Sequence, residues 1–227
     1  MNQWWGPEGV GTSVPLVLIL SILTLAPAIV MMTTSFVRIA VVLGILRQGF
    51  GTQGLPSTQV ITALALFLTF FIMFPVGQEI YNESLLPYQK GELAADAAWH
   101  NGVEPLREFM LRQLEETGNT DEIWLFWRHS PNPPEESKMA QYTGADVPLH
   151  VLMPAFLLGE LKTAFLIGVQ LLLPMLIIDL LVASILVSMG MYMLPPVMIS
   201  LPLKLLLFVL VDGWRLVVEM LLHSFGT

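Results

Sequence analysis

Long uncharged stretches of apolar residues dominate the chain. Charged residues are absent from four stretches, at 9–37, 48–78, 163–178 and 180–203. A helix needs about 20 apolar residues to cross the hydrocarbon core of a bilayer. Three of the stretches exceed that length, and the 163–178 stretch does so if Asp179 is tolerated. The pattern predicts four hydrophobic helical segments, at roughly 13–46, 58–81, 152–189 and 196–223.

Prolines lie within or beside every one of these segments. They are Pro15, Pro27, Pro75, Pro154, Pro174, Pro195, Pro196 and Pro202. Each interior proline removes a backbone donor, and in lipid the freed carbonyl must find another partner. One proline alone is compatible with a simple kink, but their density favours broken helices surrounded by protein. We therefore predict an all-α fold of kinked, proline-broken hydrophobic hairpins.

One polar region separates the apolar segments into two pairs. Residues 82–150 hold 12 acidic and 5 basic residues, which gives −7 of the formal charge of −8. An amphipathic pattern predicts a helix over 104–116, with Pro105 in its first turn and Gly118 at its end. A second short helix is expected after Thr120. We predict three regions: a hairpin at 1–81, an acidic helical insert at 82–150 and a second hairpin at 151–227.

Composition narrows the function classes. Apolar residues make up 55% of the chain and charged residues 12%, about half of what a soluble domain carries. The acidic balance argues against a nucleic-acid partner. The chain has no cysteine, and its four histidines lack metal-ligand spacing. No catalytic motif is recognisable, so we expect neither an enzyme nor a bound cofactor or metal.

The first segment is expected to be retained and not cleaved as a signal peptide. A signal peptide has a basic start, but residues 1–10 contain no lysine or arginine. Arg38 and Arg47 lie near the first turn, which favours the cytoplasmic side for that turn. The N-terminus and the insert then face the opposite side of the membrane.

Ionisable residues inside apolar segments are usually paired or functional because their burial is costly. The candidates are Arg38, Glu160, Lys162, Asp179, Lys204, Asp212, Arg215 and Glu219. Lys204 has no helical neighbour of opposite charge. Its expected partner is Glu160 or Asp179, in the same chain or in another copy, with snorkelling to an interface as the alternative.

The other charges have simpler expected arrangements. Glu160 and Lys162 point to opposite sides of a helix, so each needs a partner on another element. Asp212, Arg215 and Glu219 are spaced to pair along one helix face, or they mark the solvated end of the last helix.

A methionine-rich string lies between the third and fourth segments. Gly190 permits a bend and Pro195 disfavours helix at the residue before it, which predicts an extended apex. The apex residues are Met189, Met191, Tyr192 and Met193. Repeated around a ring, such flexible side chains form a deformable hydrophobic seal. The alternative is ordinary gap-filling, since the chain has 13 methionines.

Six strings together closely resemble the FliP family of flagellar biosynthetic proteins. They are MTTSFVRI at 32–39, LALFLTFFIM at 64–73, PAF at 154–156, ELKTAF at 160–165, PMLIIDL at 174–180 and FVLVDGW at 208–214. They occur in the family's order, and the resemblance covers nearly the whole chain. The relatives of the injectisome look similar, but LVDGW at 210–214 resembles the flagellar branch more.

The resemblance implies a subunit of the bacterial flagellar type III export gate, which conducts unfolded flagellar proteins. It implies that about five copies assemble helically with FliQ and FliR, that FlhB associates, and that hydrophobic helices are buried against partner subunits. It places the protein at the inner membrane in the flagellar basal body, with the insert on the periplasmic side. It also implies that the methionine loop narrows the channel, although Tyr192 interrupts the run here.

One further contact is implied by the resemblance: Glu160 and Lys204 form an ion pair between neighbouring subunits. Two other functions remain open on the residues alone. The charges within the apolar segments suggest a proton-coupled transporter subunit, and the apolar surface suggests a structural membrane scaffold without a pore.

Overall fold

The computed structural model describes residues 17, 20–21, 24–25, 27–51, 56–135 and 143–226. Every regular element in these residues is helical, so the predicted all-α class is confirmed. The helices are α1 (Phe36–Phe50), α2 (Thr58–Ile80), α3 (Leu86–Gln89), α4 (Ala95–Glu116), α5 (Asp121–Arg128), α6 (Leu149–Ser188), α7 (Pro196–Leu210) and α8 (Gly213–His223). A π-helical turn, Tyr81–Leu85, joins α2 to α3.

The first predicted segment is not one helix. Residues 27–32 are helical, a turn follows at 33–35, and α1 then begins. The Thr33 hydroxyl donates to the Ile29 carbonyl at 3.0 Å, and such local bonds compete with the helical ladder. Helix α1 also runs past the predicted end at residue 46, to Phe50, and Gly51 caps it with a φ of 71°. Residues 13–16, 18–19, 22–23 and 26 of the predicted segment lie outside the described residues.

Helix α6 is continuous over 40 residues and contains both Pro154 and Pro174. It begins directly after Pro148, three residues before the predicted start at residue 152. At about 1.5 Å per residue it is about 60 Å long, twice the thickness of a bilayer's hydrocarbon core. The predicted kinks at its prolines stay a prediction. A helix of this length presents more apolar surface than one straight crossing needs.

The fourth predicted segment is divided into α7 and α8 at Asp212. This residue adopts left-handed backbone angles, φ 52° and ψ 49°, which are uncommon outside glycine. The next residue, Gly213, lies so close to Phe208 that an added Cβ would be 2.3 Å from its ring. The Phe208 ring packs edge-on against Trp214 at 5.3 Å. The tight contact at glycine brings α8 back against α7.

The acidic insert is helical as predicted, but its main helix begins earlier. Helix α4 starts at Ala95, and Pro105 lies buried in its interior instead of in its first turn. The buried face already includes Ala98, so apolar packing extends the helix past the proline despite the lost hydrogen bond. Gly118 ends the helix with a φ of 68°, as predicted.

The turns that border the insert and α2 are capped by polar side chains. The Ser57 hydroxyl accepts a hydrogen bond from the Val60 amide at 3.4 Å at the start of α2. Before α6, the backbone N–H and the hydroxyl of Thr143 donate to the Asp146 carboxylate, each at 2.8 Å. These bonds lower the pKa of the exposed Asp146 carboxyl.

The core forms where α1 lies along α6, with α2 packed against α1 and with α4 and α5 packed against α6. Small residues on α6 allow this close approach. A Cβ at Gly159 would lie 2.7 Å from Leu114 of α4, and one at Gly168 would lie 2.4 Å from Ile45 of α1. One buried cluster includes residues of all three predicted regions. The boundaries at residues 81 and 150 stay a prediction.

Much of the apolar surface is not covered by the chain itself. On α2, Phe67 is 74% exposed and Phe70, Phe71 and Phe74 are also exposed. Two helical stretches, Thr58–Gln89 and Leu149–Ser188, are long and apolar enough to cross a membrane, by length and composition alone. About a fifth of each apolar window is buried within the chain. These surfaces therefore fit lipid or another protein chain as neighbours.

Candidate functional site

Arg38 and Glu160 form a completely internal ion pair between α1 and α6. The Arg38 Nε donates to Glu160 Oε2 at 2.9 Å, and the second guanidinium arm donates to Oε1. Both residues are essentially inaccessible to solvent. This fork-to-fork arrangement is the strongest form of a guanidinium–carboxylate contact. The ion pair fixes the relative position of α1 and α6, which pack along each other in the core.

Three further residues surround the Arg38 guanidinium. It donates to Gln113 Oε1 at 3.0 Å, to the Ser224 hydroxyl at 3.2 Å and to the Ser224 carbonyl. The Phe225 ring lies 3.9 Å from the guanidinium carbon, a cation–π contact. Arg38 therefore links α1 to α4, to α6 and to the residues that follow α8. We call Arg38, Glu160, Gln113, Ser224 and Phe225 the arginine cluster.

Lys204 of α7 forms a second buried charge site. Its Nζ donates to Asp179 Oδ2 at 2.6 Å and to the Gly49 carbonyl at 2.8 Å. The other carboxylate oxygen of Asp179 accepts a bond from the Ser200 hydroxyl at 2.5 Å. We call Gly49, Asp179, Ser200 and Lys204 the lysine cluster. It joins α1, α6 and α7 below the methionine apex.

The structure selects one of the two partners that the sequence left open for Lys204. Within one chain, Lys204 pairs with Asp179 and Glu160 pairs with Arg38. Both Lys204 and Glu160 are about 1% exposed. The pair between Glu160 and Lys204 of neighbouring subunits stays a prediction, and it requires these residues to become accessible to another copy.

The remaining predicted charges lie near the surface. Lys162 pairs with Glu122 of α5 at 3.2 Å, on the side of α6 away from Glu160, which confirms that the two need separate partners. Its side chain is 54% exposed. Arg215 pairs with Glu219 at 2.8 Å along α8, with both side chains largely exposed, and this contact raises the pKa of Arg215. Asp212 is distinguished by its left-handed backbone angles, which separate α7 from α8.

The methionine apex projects from the body of the chain. Met193 is 97% exposed and Tyr192 is 77% exposed, and Met189 and Met191 are also open. The Gly190 and Met191 amides bond back to the Val187 and Leu186 carbonyls. Turns at 189–190 and 192–193 replace the predicted extended backbone. The difference follows from Gly190, whose φ of 75° completes a glycine C-cap of α6.

Sequence reasoning missed several members of both clusters. Gln113 carried a usable signal, because it is a polar residue on the otherwise apolar face of α4. The backbone oxygens of Gly49 and Ser224 carried none, since no pattern of side chains indicates which carbonyl accepts a bond. Among the described residues, no group of acidic residues and histidines is arranged to hold a metal ion.

Comparison with known families and proteins agrees with the motifs. The FliP family model matches residues 19–221. The flagellar biosynthetic protein FliP of Bacillus subtilis is 47% identical over 220 residues, which cover 96% of this chain and 95% of that protein. The FliP of Pectobacterium carotovorum is 48% identical, over 94% of this chain and 79% of that protein. The FliP of Treponema pallidum is 46% identical, over 95% of this chain and 77% of that protein.

Proposed function

This chain belongs to the FliP family, and we propose that it is a core subunit of the export gate of the bacterial flagellar type III secretion system. About five copies assemble helically with FliQ and FliR family subunits, and FlhB associates with the result. Together they enclose a channel for unfolded flagellar proteins. The observation that carries this proposal is the family match over residues 19–221.

The geometry of the apex supports a sealing role. A seal needs side chains that project freely, exclude water and adapt to one another as a substrate passes. The exposed side chains of Met191 and Met193 meet these requirements. Tyr192 adds an aromatic ring whose hydroxyl tolerates water, so the seal combines two types of side chain.

The proposed location is the bacterial inner membrane within the flagellar basal body, with the acidic insert on the periplasmic side. The two apolar helical stretches support membrane association. Helix α6 is about twice as long as a bilayer's hydrocarbon core is thick. Part of its exposed apolar surface therefore faces partner subunits instead of lipid.

The sealing role is tested by electrical leak through the assembled complex. Alanine at both Met191 and Met193 shortens two exposed side chains without touching the buried core. We expect the reconstituted complex to conduct small ions at rest. Met198→Ala is the matched control, because Met198 is also highly exposed but lies on α7 beyond the apex. A double variant that conducts no more than this control rules out the seal.

The relatives compared above are all flagellar proteins, which favours the flagellar branch over an injectisome homologue. A proton-coupled transporter subunit requires an acidic group that can release and rebind protons. Asp179 is the candidate, but its two oxygens are occupied by Lys204 and Ser200. The structure therefore gives this alternative no specific support.

A further inference from the structure

We propose that the lysine cluster is a latch that holds α7 against α6 and so fixes the methionine apex in its closed position. Release of Lys204 from Asp179 lets α7 move away from α6. The consequence for the channel rests on the proposed function, but the latch itself is a property of the chain.

The latch provides the polar contacts between the two arms of the hairpin. Across the fully described helices α6 and α7, Asp179 is the one residue whose side chain bonds to a side chain of the other helix. It does so twice, through Ser200 and Lys204, which are one helical turn apart on α7. One carboxylate therefore fixes both the position and the rotation of α7.

Beyond the latch, the facing sides of the two arms are aliphatic and open to the surface. A surface groove of about 420 Å³ runs between the arms near the latch. Its lining includes Ile178, Leu181 and Ile185 of α6 and Leu203, Leu206 and Leu210 of α7, and most of these side chains are exposed. Apolar contacts have no fixed direction, and exposed side chains lack the close packing of a core on their open side. These residues therefore restrict a shift of the arms less than a close-packed core does.

Lys204 also binds the end of α1, which makes one side of the latch stationary. The Gly49 carbonyl that accepts its Nζ lies in the last turn of α1. A cation is favoured there because the last carbonyls of a helix carry partial negative charge. Helix α1 packs along α6 and is tied to it by Arg38 and Glu160. Thus α1 and α6 form the fixed part, and α7 is the part that moves.

A movement of α7 passes directly to the apex. The helix begins at Pro196, immediately after the apex, and Ser200 and Lys204 lie within its first nine residues. Pro195 and Pro196 have fixed φ angles, so the connection is stiff. Displacement at Lys204 therefore shifts Met193 and Tyr192 instead of being absorbed by a flexible loop.

The test is a distance measurement between the hairpin arms. The chain contains no cysteine, so spin labels at Ile185→Cys and Leu206→Cys attach only where intended. The labelled full chain is assembled into its complex with an excess of unlabelled chain, and pulsed electron paramagnetic resonance gives the separation. We expect one narrow distribution with the intact latch. Lys204→Met broadens it roughly twofold, as a packed element gains a second arrangement, and Ser200→Ala broadens it less.

Lys162→Met is the matched control, because it removes a lysine from an exposed ion pair on α6 and leaves the distribution narrow. If the Lys204→Met variant does not fold, the Ser200→Ala variant tests the latch. It removes the hydrogen bond from Ser200 to Asp179 and keeps the ion pair between Lys204 and Asp179. A narrow distribution in each latch variant that folds overturns the proposal. Ion leak is then measured on the same variants. Broadening without leak supports the latch and contradicts the channel role, whereas leak without broadening overturns the latch.

Discussion

At the scale of single residues, the fold depends most on Arg38. Its guanidinium is buried with a carboxylate, an amide, a hydroxyl and an aromatic ring around it. A buried pair adds little net stability compared with apolar residues, but removal of one partner leaves the other charge unpaired in the interior. Arg38 is therefore a position at which truncation has a large cost.

We predict that Arg38→Leu lowers the free energy of unfolding by about 3–5 kcal/mol, because Glu160 remains buried without a partner. Adding Glu160→Gln recovers part of the loss by removing the unpaired charge. Chemical unfolding of the purified full chain in mild detergent measures both effects. Arg215→Leu is the control, since that exposed pair contributes at most about 1 kcal/mol. Equal effects of Arg38→Leu and Arg215→Leu would contradict the importance of the arginine cluster.

Ser35 gives the opposite prediction. Its side chain is fully buried at the start of α1, and its hydroxyl has no hydrogen-bond partner among the described residues. An unsatisfied buried hydroxyl costs about 1–3 kcal/mol, so Ser35→Ala is expected to be neutral or stabilising in the same unfolding assay. A clear loss of stability would show that this hydroxyl is hydrogen-bonded in the folded chain.

At the scale of helices, the break between α7 and α8 depends on a small residue. We predict that Gly213→Ala destabilises the chain by about 1–3 kcal/mol, the usual cost of overpacking, because its Cβ would overlap the Phe208 ring. Gly77→Ala is the matched control. A Cβ there meets nothing within 4 Å, and replacing a helical glycine gains up to about 1 kcal/mol. Thermal unfolding of both variants compares them, and a Gly213→Ala variant as stable as Gly77→Ala would refute the packing argument.

The helices themselves could largely be predicted from the sequence, but several of their ends could not. Apolar length located α2 and α6, and the glycine at 118 was correctly expected to end α4. The start of α4 was wrong because Pro105 was given more weight than the packing of Ala98. The break at Asp212 was unexpected because nothing in the sequence pattern indicates a left-handed aspartate. Tertiary contacts determine the start of α4 and the break at Asp212.

For the charged residues, too, local spacing predicted some features, and contacts between distant parts of the chain determined the rest. Spacing showed that Glu160 and Lys162 need different partners, and both partners exist. Spacing did not identify Arg38 as the partner of Glu160, because 122 positions separate them and no helical periodicity relates them. The choice of Asp179 for Lys204 likewise depends on how α7 folds back onto α6.

At the scale of the whole molecule, charge exchange distinguishes the two possible partners of Lys204. We predict that Lys204→Glu impairs assembly, because it faces Asp179 with a like charge. If the partner is in the same chain, adding Asp179→Lys restores assembly. If the partner is Glu160 of a neighbouring subunit, adding Glu160→Lys restores it instead. The yield of purified complex is the readout, and failure of both exchanges in normally produced proteins contradicts direct pairing.

The uncovered apolar surface of α2, α6 and α7 is the feature of the whole chain that most needs an explanation. A gate subunit explains it through neighbouring copies and partner subunits, with lipid covering the remainder. The direct measurement is the mass and symmetry of the purified complex by electron cryomicroscopy. We predict a helical ring of about five copies with FliQ and FliR family subunits, with the methionine apexes converging on a central channel. A monomer, or an assembly whose apexes point away from any channel, would contradict it.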